Sequence, residues 1–274
     1  TFVMAEDEGS SPYFYLLKHL LIMGVGGLFF FLCYWVDYHR WRDILVPIIL
    51  VIIAMLVYVL GFGTAVNGAK RWIYIGSFSV QPAEFAKICS VMIEAYYLSY
   101  CIQKRQAFKL IQSQHGTLVV LAALVELEPD MGPMLVLLGV PLLMLLVAGL
   151  DMGKIKNLIF IVVAAATALC IYQPYRLQRI KVMLDPWADA QGMGYQTVQS
   201  ITAIGSGGFW GMGLGEGLAK YAYLPEAHTD FAFAVFCQEN GFLLAAGLII
   251  LYGLLGYFGA KIAKNAYDAY GQVL

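Results

Sequence analysis

The sequence predicts an all-α polytopic membrane protein with seven membrane-spanning helices and one long, structured extracytoplasmic loop. Hydrophobic residues make up 61% of the 274 residues and charged residues only 13%, whereas soluble domains are about one quarter charged. The apolar residues fall into stretches close to the roughly 20 residues that a helix needs to cross a membrane. Polar stretches are too short for a separate soluble domain, so residues 1–274 are predicted to form a single transmembrane domain.

Seven apolar stretches are the predicted spans, and they lie at residues 14–36, 44–63, 83–101, 117–129, 132–150, 157–173 and 234–258. The fourth is short and ends in acidic residues. Short cytoplasmic loops carry an excess of Lys and Arg. The basic clusters fall in loops 37–43, 102–116 and 151–156 and after the last span, all on one side of a seven-span arrangement. That side is predicted to be cytoplasmic.

Two loops on the opposite side are unusual. Loop 64–82 contains glycines and a basic pair, and loop 174–233 is much the longest in the chain. A loop of that length is either functional or disordered, and its Trp, Tyr and Gly residues argue against disorder. The run GSGGFWGMGLGEG at 205–217 has too many glycines for a helix and lacks the strand and helix context of a nucleotide-binding loop. We interpret it as tightly turned backbone near a ligand or the membrane surface.

Composition argues against other site classes. A net charge of −1 gives no support for nucleic-acid binding. The five cysteines, at positions 33, 89, 101, 170 and 237, fall in or beside apolar stretches. An odd count without clustering favours small apolar side chains over disulfides or metal ligands. No cofactor is predicted.

Ionisable residues lie at the end of the long loop, at the predicted boundary between water and lipid. The stretch LPEAHTDF at 224–231 contains Glu226, His228, Thr229 and Asp230, with Lys220 upstream. An ionisable group at that depth is costly to hold and usually functional. Thr229 or Asp230 alone could cap the last helix. The other interpretation is a cluster that supplies an acid or a base to a substrate.

A second set of charges begins the third span. Glu84 and Lys87 lie three residues apart, on one face of a helix that begins at Pro82. They either form an ion pair that only orients the helix, or Lys87 and Arg71 together supply positive charge to a phosphate group. Arg71 could also be an interfacial anchor. Asp130, after Pro129, either caps the next helix or belongs to the same site.

At these residues the chain closely resembles the SEDS family (shape, elongation, division and sporulation proteins), which includes FtsW and RodA. The matching stretches are RWIYIGSFSVQPAEFAK (71–87), EPDMG (128–132), GYQTVQSITAIGSGGFWGMGLG (194–215) and LPEAHTDF (224–231). The amino-acid sequence of the long loop resembles the FtsW branch more than the RodA branch. Ala83 stands where the family has serine, Glu128 where it has glutamine, and Gln238-Glu239-Asn240 where it has two glutamates and a leucine.

The resemblance implies a ten-span fold, of which this chain would match the second through eighth spans, so it is expected to be part of a longer protein. It also implies peptidoglycan glycosyltransferase activity on lipid II, an undecaprenyl-pyrophosphate-linked disaccharide pentapeptide, at the outer face of a bacterial cytoplasmic membrane. Asp230 matches the essential aspartate, the expected general base. The expected substrate-binding residues are Arg71, Glu84, Lys87, Asp130, Gln199, Ser200, Lys220, Glu226, His228 and Thr229.

The expected partners are a class B penicillin-binding protein and other divisome or elongasome membrane proteins. A divalent cation such as Mg or Mn could accompany the substrate pyrophosphate. Two other functions remain open from the sequence: a transporter that flips lipid II, and a scaffold for a penicillin-binding protein. The polar residues collect on the outer side, which favours the enzyme, because a flippase needs access from both leaflets.

Overall fold

The fold is taken from a computed structural model, which describes residues 13–66, 69–76, 78–106, 113–128, 131–149, 174–220, 224–225 and 229–274, with separate residues between 153 and 167 and residue 227. The helices are α1 (Phe14–Trp35), α2 (Tyr38–Asp43), α3 (Leu45–Phe62), α4 (Pro82–Lys104), α5 (Ser113–Leu127), α6 (Met131–Val147), α7 (Pro174–Leu184), α8 (Tyr195–Ser206), α9 (Ala232–Lys264) and α10 (Ala269–Val273). The strands are β1 (Thr64–Val66), β2 (Ala69–Ile75) and β3 (Phe78–Val80).

Among the residues that the structure describes, four helices, α1, α3, α4 and α9, are long and apolar enough to cross a membrane. They correspond to the first, second, third and last predicted spans. Helices α5 and α6 are apolar but shorter, with 15 and 17 residues. Most of the predicted sixth span, 157–173, lies outside the described residues. A multi-pass, mostly helical membrane protein is therefore confirmed, while the count of seven spans stays a prediction.

The all-α prediction is wrong for residues 64–80, where three strands form an antiparallel sheet in the order β1-β2-β3. Trp72 pairs with Thr64 on one side of β2, and Ile73 pairs with Val80 on the other. The segment AKRWIYI is rich in aromatic and β-branched residues, which favour a pleated strand. The sequence predicts a loop at 64–82 because strands of three to seven residues are too short to show a clear period.

Packing divides the described chain into two compact units, residues 1–31 with 161–259 and residues 32–160 with 260–274. We describe each unit by itself. In the second unit α4 packs against α3, α5, α6 and α10. The residues on its buried face recur every three or four positions. They are mainly Ala83, Ala86, Ser90, Ile93, Tyr97 and Cys101. Small side chains let membrane helices approach closely, which explains why alanine at position 83, fully buried in this face, is compatible with the fold.

In the first unit helix α9 breaks at Gly241, whose φ of 72° and ψ of −177° are not helical. A break frees backbone groups that must find other partners away from water. The glycine-rich run provides them: Phe242 N donates to Gly208 O (2.9 Å), and Met212 N donates to Gln238 O (3.0 Å). A Cβ at Gly241 would collide with the backbone of the same run. The predicted tight turns are present, with positive φ angles at Gly208, Gly211, Gly213 and Gly215. That the run lies near a ligand or the membrane surface stays a prediction.

A polar cluster, which we call the terminal clamp, joins α10 to the connection between α1 and α2 in the second unit. The Tyr38 hydroxyl donates to Asp268 Oδ1 (2.6 Å). The His39 ring lies between two carboxylates, with Nδ1 at 2.6 Å from Asp37 Oδ1 and Nε2 at 3.2 Å from Asp268 Oδ2. The Asp268 carboxylate also accepts from Gly271 N (3.1 Å), the cap of α10.

The terminal clamp predicts a pH dependence of stability. The Asp37 hydrogen bond raises the pKa of His39, and His39 lowers the pKa of Asp37. Burial would raise the pKa of Asp268, but hydrogen bonds from Tyr38, Gly271 N and His39 together lower it. The Asp268 hydrogen bond raises the pKa of Tyr38 to about 12, so this hydroxyl stays protonated.

The stabilisation from His39 is fully present below its unfolded pKa of about 6.5 and is lost as the pH rises through its raised folded pKa. Both aspartates stay ionised over that range. As the pH rises from about 6.5 through the raised folded pKa of His39, we expect the melting temperature of the wild type to fall more steeply than that of His39→Gln. Parallel pH profiles, measured by thermal unfolding in detergent, would show that His39 carries no linked stability.

Candidate active site

Arg71 joins the sheet to the end of α5. Its Nε donates to the carbonyl oxygen of Glu128 at 3.1 Å, and its side chain is half-buried. The Glu128 carboxylate is 1% exposed. Glu128, which stands where the family has glutamine, adds a carboxylate to this region. The structure adds that the backbone of Glu128 holds the guanidinium, so Arg71 has a defined position in addition to any interfacial role.

Glu84 and Lys87 meet in the first turn of α4, as their spacing predicts. Lys87 Nζ lies 2.8 Å from Glu84 Oε1, and the two side chains are 26% and 55% exposed. Pro82 occupies the first helical turn, and Gln81 precedes it without a side-chain cap. An exposed pair of this kind stabilises a fold by at most about 1 kcal/mol. The pair therefore contributes little to the stability of the fold, and its main effect is to hold the Lys87 ammonium in place.

Asp230 lies in a turn two residues before α9, with an exposed side chain. Capping by Asp230 gains no support, because within the described part of the chain no group donates a hydrogen bond to this carboxylate. Capping by Thr229 stays a prediction. The backbone closes this turn, with Ala232 N donating to Thr229 O at 3.5 Å. An exposed carboxylate at the head of a membrane helix can accept a proton from a bound substrate. Thr229, also exposed, lies in the same turn.

The other predicted site residues have mixed outcomes. Ser200 is buried, and its hydroxyl donates to Thr197 O within α8 (2.9 Å), so donation of a hydrogen bond to a substrate would require that bond to open. Gln199 is half-buried on the same helix. Asp130, Glu226 and His228 lie outside the described residues, as does the side chain of Lys220. Their roles, and that of Gln199, stay predictions.

Gln238 is a structural residue whose role the sequence did not indicate. It is 4% exposed. Its Oε1 accepts from Ala219 N (3.0 Å), and its Nε2 donates to Ser206 Oγ (2.9 Å). The amide thus joins α8, the end of the glycine-rich run and the broken helix. An amide provides both a donor and an acceptor, which the glutamate of relatives cannot do when ionised. The sequence feature that could have indicated this role is the glutamine at a position where the family resemblance gives glutamate.

A buried glutamate and a histidine in contact with it were also not predicted from the sequence. Glu94, in the middle of α4, is fully buried, and its Oε2 lies 3.3 Å from Nε2 of His115 on α5. The His115 ring meets the Tyr97 ring edge to face, with centroids 5.0 Å apart. Charged residues inside membrane bundles face the interior and pair with one another. The sequence feature that could have indicated this pair is a glutamate within an otherwise apolar span.

Metal ligands are not gathered in the described residues: they contain no group of three or more His, Cys, Asp and Glu side chains that could hold an ion. Two of the predicted acidic residues lie outside those ranges. The expectation that the chain has no resident metal therefore stays a prediction.

Known proteins resemble the chain over its whole length. Residues 1–274 match the family model of the FtsW, RodA and SpoVE cell cycle proteins. A probable peptidoglycan glycosyltransferase FtsW of Aeromonas salmonicida is 37% identical over 94% of this chain and 66% of its own length. Stage V sporulation protein E of Bacillus subtilis is 34% identical over 98% of this chain and 75% of its own length. The chain thus spans about two thirds to three quarters of these relatives.

A solved structure shares the fold. One chain of a peptidoglycan synthase complex, studied for the structural coordination of polymerization and crosslinking, superposes with a TM-score of 0.74. It is 26% identical to this chain, and the match covers 94% of this chain and 72% of that one. The fold and the sequence similarity therefore agree over the same residues.

Proposed function

Because this chain belongs to the FtsW, RodA and SpoVE family of cell cycle proteins, we propose that it is a peptidoglycan glycosyltransferase that polymerises lipid II. The observation that carries the proposal is the match over residues 1–274, which includes Asp230 at the head of α9. Relatives named for division and for sporulation match with 37% and 34% identity. The cellular process therefore stays open between division, elongation and sporulation.

Asp230 is the proposed general base. A sugar hydroxyl of the acceptor attacks the anomeric carbon of the donor, the bond from that carbon to the pyrophosphate breaks, and the hydroxyl proton passes to the Asp230 carboxylate. A single displacement of this kind inverts the anomeric centre and needs one base, unlike the two-carboxylate arrangement of most glycoside hydrolases. The exposure of Asp230 and the absence of a helix-capping bond within the described chain support this role.

Lys87 and Arg71 are the proposed cations for the leaving pyrophosphate. Positive charge placed where negative charge develops lowers the barrier to bond cleavage, and guanidinium and ammonium groups bind phosphate through charge-assisted hydrogen bonds. Glu84, at 2.8 Å from Lys87, orients the ammonium. No energy source besides the pyrophosphate bond is needed, and a divalent cation bound with the substrate would add to the same charge stabilisation.

The reaction is placed on the outer face of the cytoplasmic membrane, with a class B penicillin-binding protein as partner. The basic loops predict that residues 102–116 are cytoplasmic and residues 174–233 extracytoplasmic. A partner that crosslinks peptides would act on the glycan strands made here. The related chain from a complex that polymerises and crosslinks peptidoglycan supports this pairing.

Topology is tested by single cysteines at Ala188 and Gln112 in a background without the native cysteines. We expect an impermeant thiol reagent to label Ala188→Cys in intact cells or spheroplasts, and Gln112→Cys only after the membrane is opened, because of the Lys and Arg asymmetry. Labelling of Gln112→Cys in intact cells would invert the arrangement and remove the outer-face assignment.

The polymerase and transporter functions can be distinguished in proteoliposomes that contain fluorescent lipid II and the purified protein with its partner. A polymerase produces glycan strands, detected by gel electrophoresis, without speeding movement of the fluorophore between leaflets. An impermeant quencher reports that movement. Faster quenching without polymer would favour the transporter and contradict the proposed function.

A further inference from the structure

A cavity of about 380 Å³ lies in the second unit, where the end of α2 and the start of α3 meet the last turns of α4. Its lining contains none of the residues assigned to catalysis above. From α4 it is lined by Tyr96, Ser99, Tyr100 and Gln103, which share one helix face because they are three or four residues apart. From the other side it is lined by Arg42 and Asp43.

The lining combines one cation, one anion and uncharged hydrogen-bonding groups. Arg42 Nε lies 3.6 Å from Asp43 Oδ1, and their side chains are 36% and 69% exposed. That separation is longer than a hydrogen bond, so neither charged group is saturated by the other. The guanidinium can bind a phosphate through two parallel N–H donors, and the carboxylate can accept from an ammonium.

The surroundings of the cavity are apolar. Val46 also lines it and is 65% exposed, and Leu50, one turn further along the apolar helix α3, is 61% exposed. Tyr96 and Tyr100 are 37% and 41% exposed, and tyrosines are typical of the boundary between membrane and water. A polar cavity that continues into an exposed apolar helix face fits a lipid with a polar headgroup and acyl chains better than it fits a free ion.

We infer that this cavity binds a phospholipid headgroup of the ethanolamine type from the leaflet on the side of the basic loops, with the phosphate on Arg42 and the ammonium on Asp43. The lining has one positive and one negative side chain, so it matches a zwitterion. A choline headgroup has the same phosphate, but its quaternary ammonium cannot donate a hydrogen bond. A glycerol headgroup leaves a net negative charge beside Asp43.

The inference is tested by native mass spectrometry of the purified protein in detergent with added phosphatidylethanolamine, phosphatidylcholine or phosphatidylglycerol. We expect the ethanolamine lipid to bind more tightly than the other two, and Arg42→Gln to weaken it about tenfold, the size expected when one charge-assisted hydrogen-bonding group is lost. Asp43→Asn should remove the preference over phosphatidylcholine. Lys104→Gln removes an exposed cation at the same end of α4 that does not line the cavity, and it should bind as the wild type does.

The inference is overturned by equal binding of the choline lipid, by tighter binding of the glycerol lipid, or by wild-type binding of the ethanolamine lipid to Arg42→Gln. Displacement of the lipid by millimolar inorganic phosphate would instead assign the cavity to a free anion, and that also contradicts it. If Arg42→Gln is unstable, Tyr100→Phe, which removes only a hydroxyl from the lining, should still weaken binding of the ethanolamine lipid.

Discussion

Replacement of Asp230 by asparagine is expected to lower the rate of lipid II polymerisation by about 10²-fold to 10⁴-fold, the range that general-base catalysis contributes. Asparagine keeps the shape of the side chain and removes its charge and its basicity. The side chain is exposed, and no described group hydrogen-bonds to it, so the melting temperature in detergent and binding of the penicillin-binding partner should change little. The measurement is the initial rate of glycan formation by purified protein.

The matched control is Glu216→Gln, which removes a second exposed carboxylate from the same long loop. Its rate should equal that of the wild type, so that loss of loop charge alone is excluded as the cause. An Asp230→Asn protein that is folded and polymerises lipid II within a few-fold of the wild type would show that Asp230 is not the base.

Lys87→Ala is expected to lower the same rate by about 10²-fold or more, a loss comparable to that of one group that stabilises developing negative charge. The Glu84–Lys87 distance of 2.8 Å places the ammonium at the start of α4, and removing it leaves the leaving pyrophosphate with less positive charge nearby. Lys87→Arg should recover only part of the activity, because guanidinium and ammonium differ in shape and hydration.

Lys70→Ala is the control for Lys87. Lys70 is an exposed lysine on β2 whose Nζ donates to Gly61 O at 3.1 Å, and its loss should leave polymerisation unchanged. Glu84→Gln tests whether the pair positions the ammonium: if it does, this variant should lose part of the activity, and Glu84→Gln should add little further loss to Lys87→Ala in the double variant. Wild-type activity in Lys87→Ala would reject Lys87 as a leaving-group residue.

The start of α4 illustrates what could be predicted from the sequence. Pro82 suits the first turn of a helix, and a Glu and a Lys three residues apart lie on one face, so the ion pair followed from local rules alone. The long apolar helices α1, α3, α4 and α9 were equally accessible, because membrane length and hydrophobicity depend on composition within one segment.

The break at Gly241 illustrates what could not be predicted. A glycine inside an apolar helix is common in membranes, and only its contact with the glycine-rich run some 30 residues earlier shows that the helix is interrupted there. The bonds of Gln238 to Ala219 and Ser206 and the His39–Asp268 contact of the terminal clamp are likewise long-range in sequence. Such contacts are set by tertiary packing, which residue periodicity does not encode.

Purified protein incubated with fluorescent lipid II in detergent, with and without its class B penicillin-binding partner, tests the central claim most directly. The partner's transpeptidase is blocked so that only polymerisation is observed, and Asp230→Asn with the same partner controls for contaminating polymerases. We expect glycan strands on the gel and release of undecaprenyl pyrophosphate from the wild-type reaction, and neither from the variant. Folded wild-type protein that leaves lipid II intact in the presence of its partner, or strands formed equally by both proteins, would contradict the assignment of this chain as the polymerase.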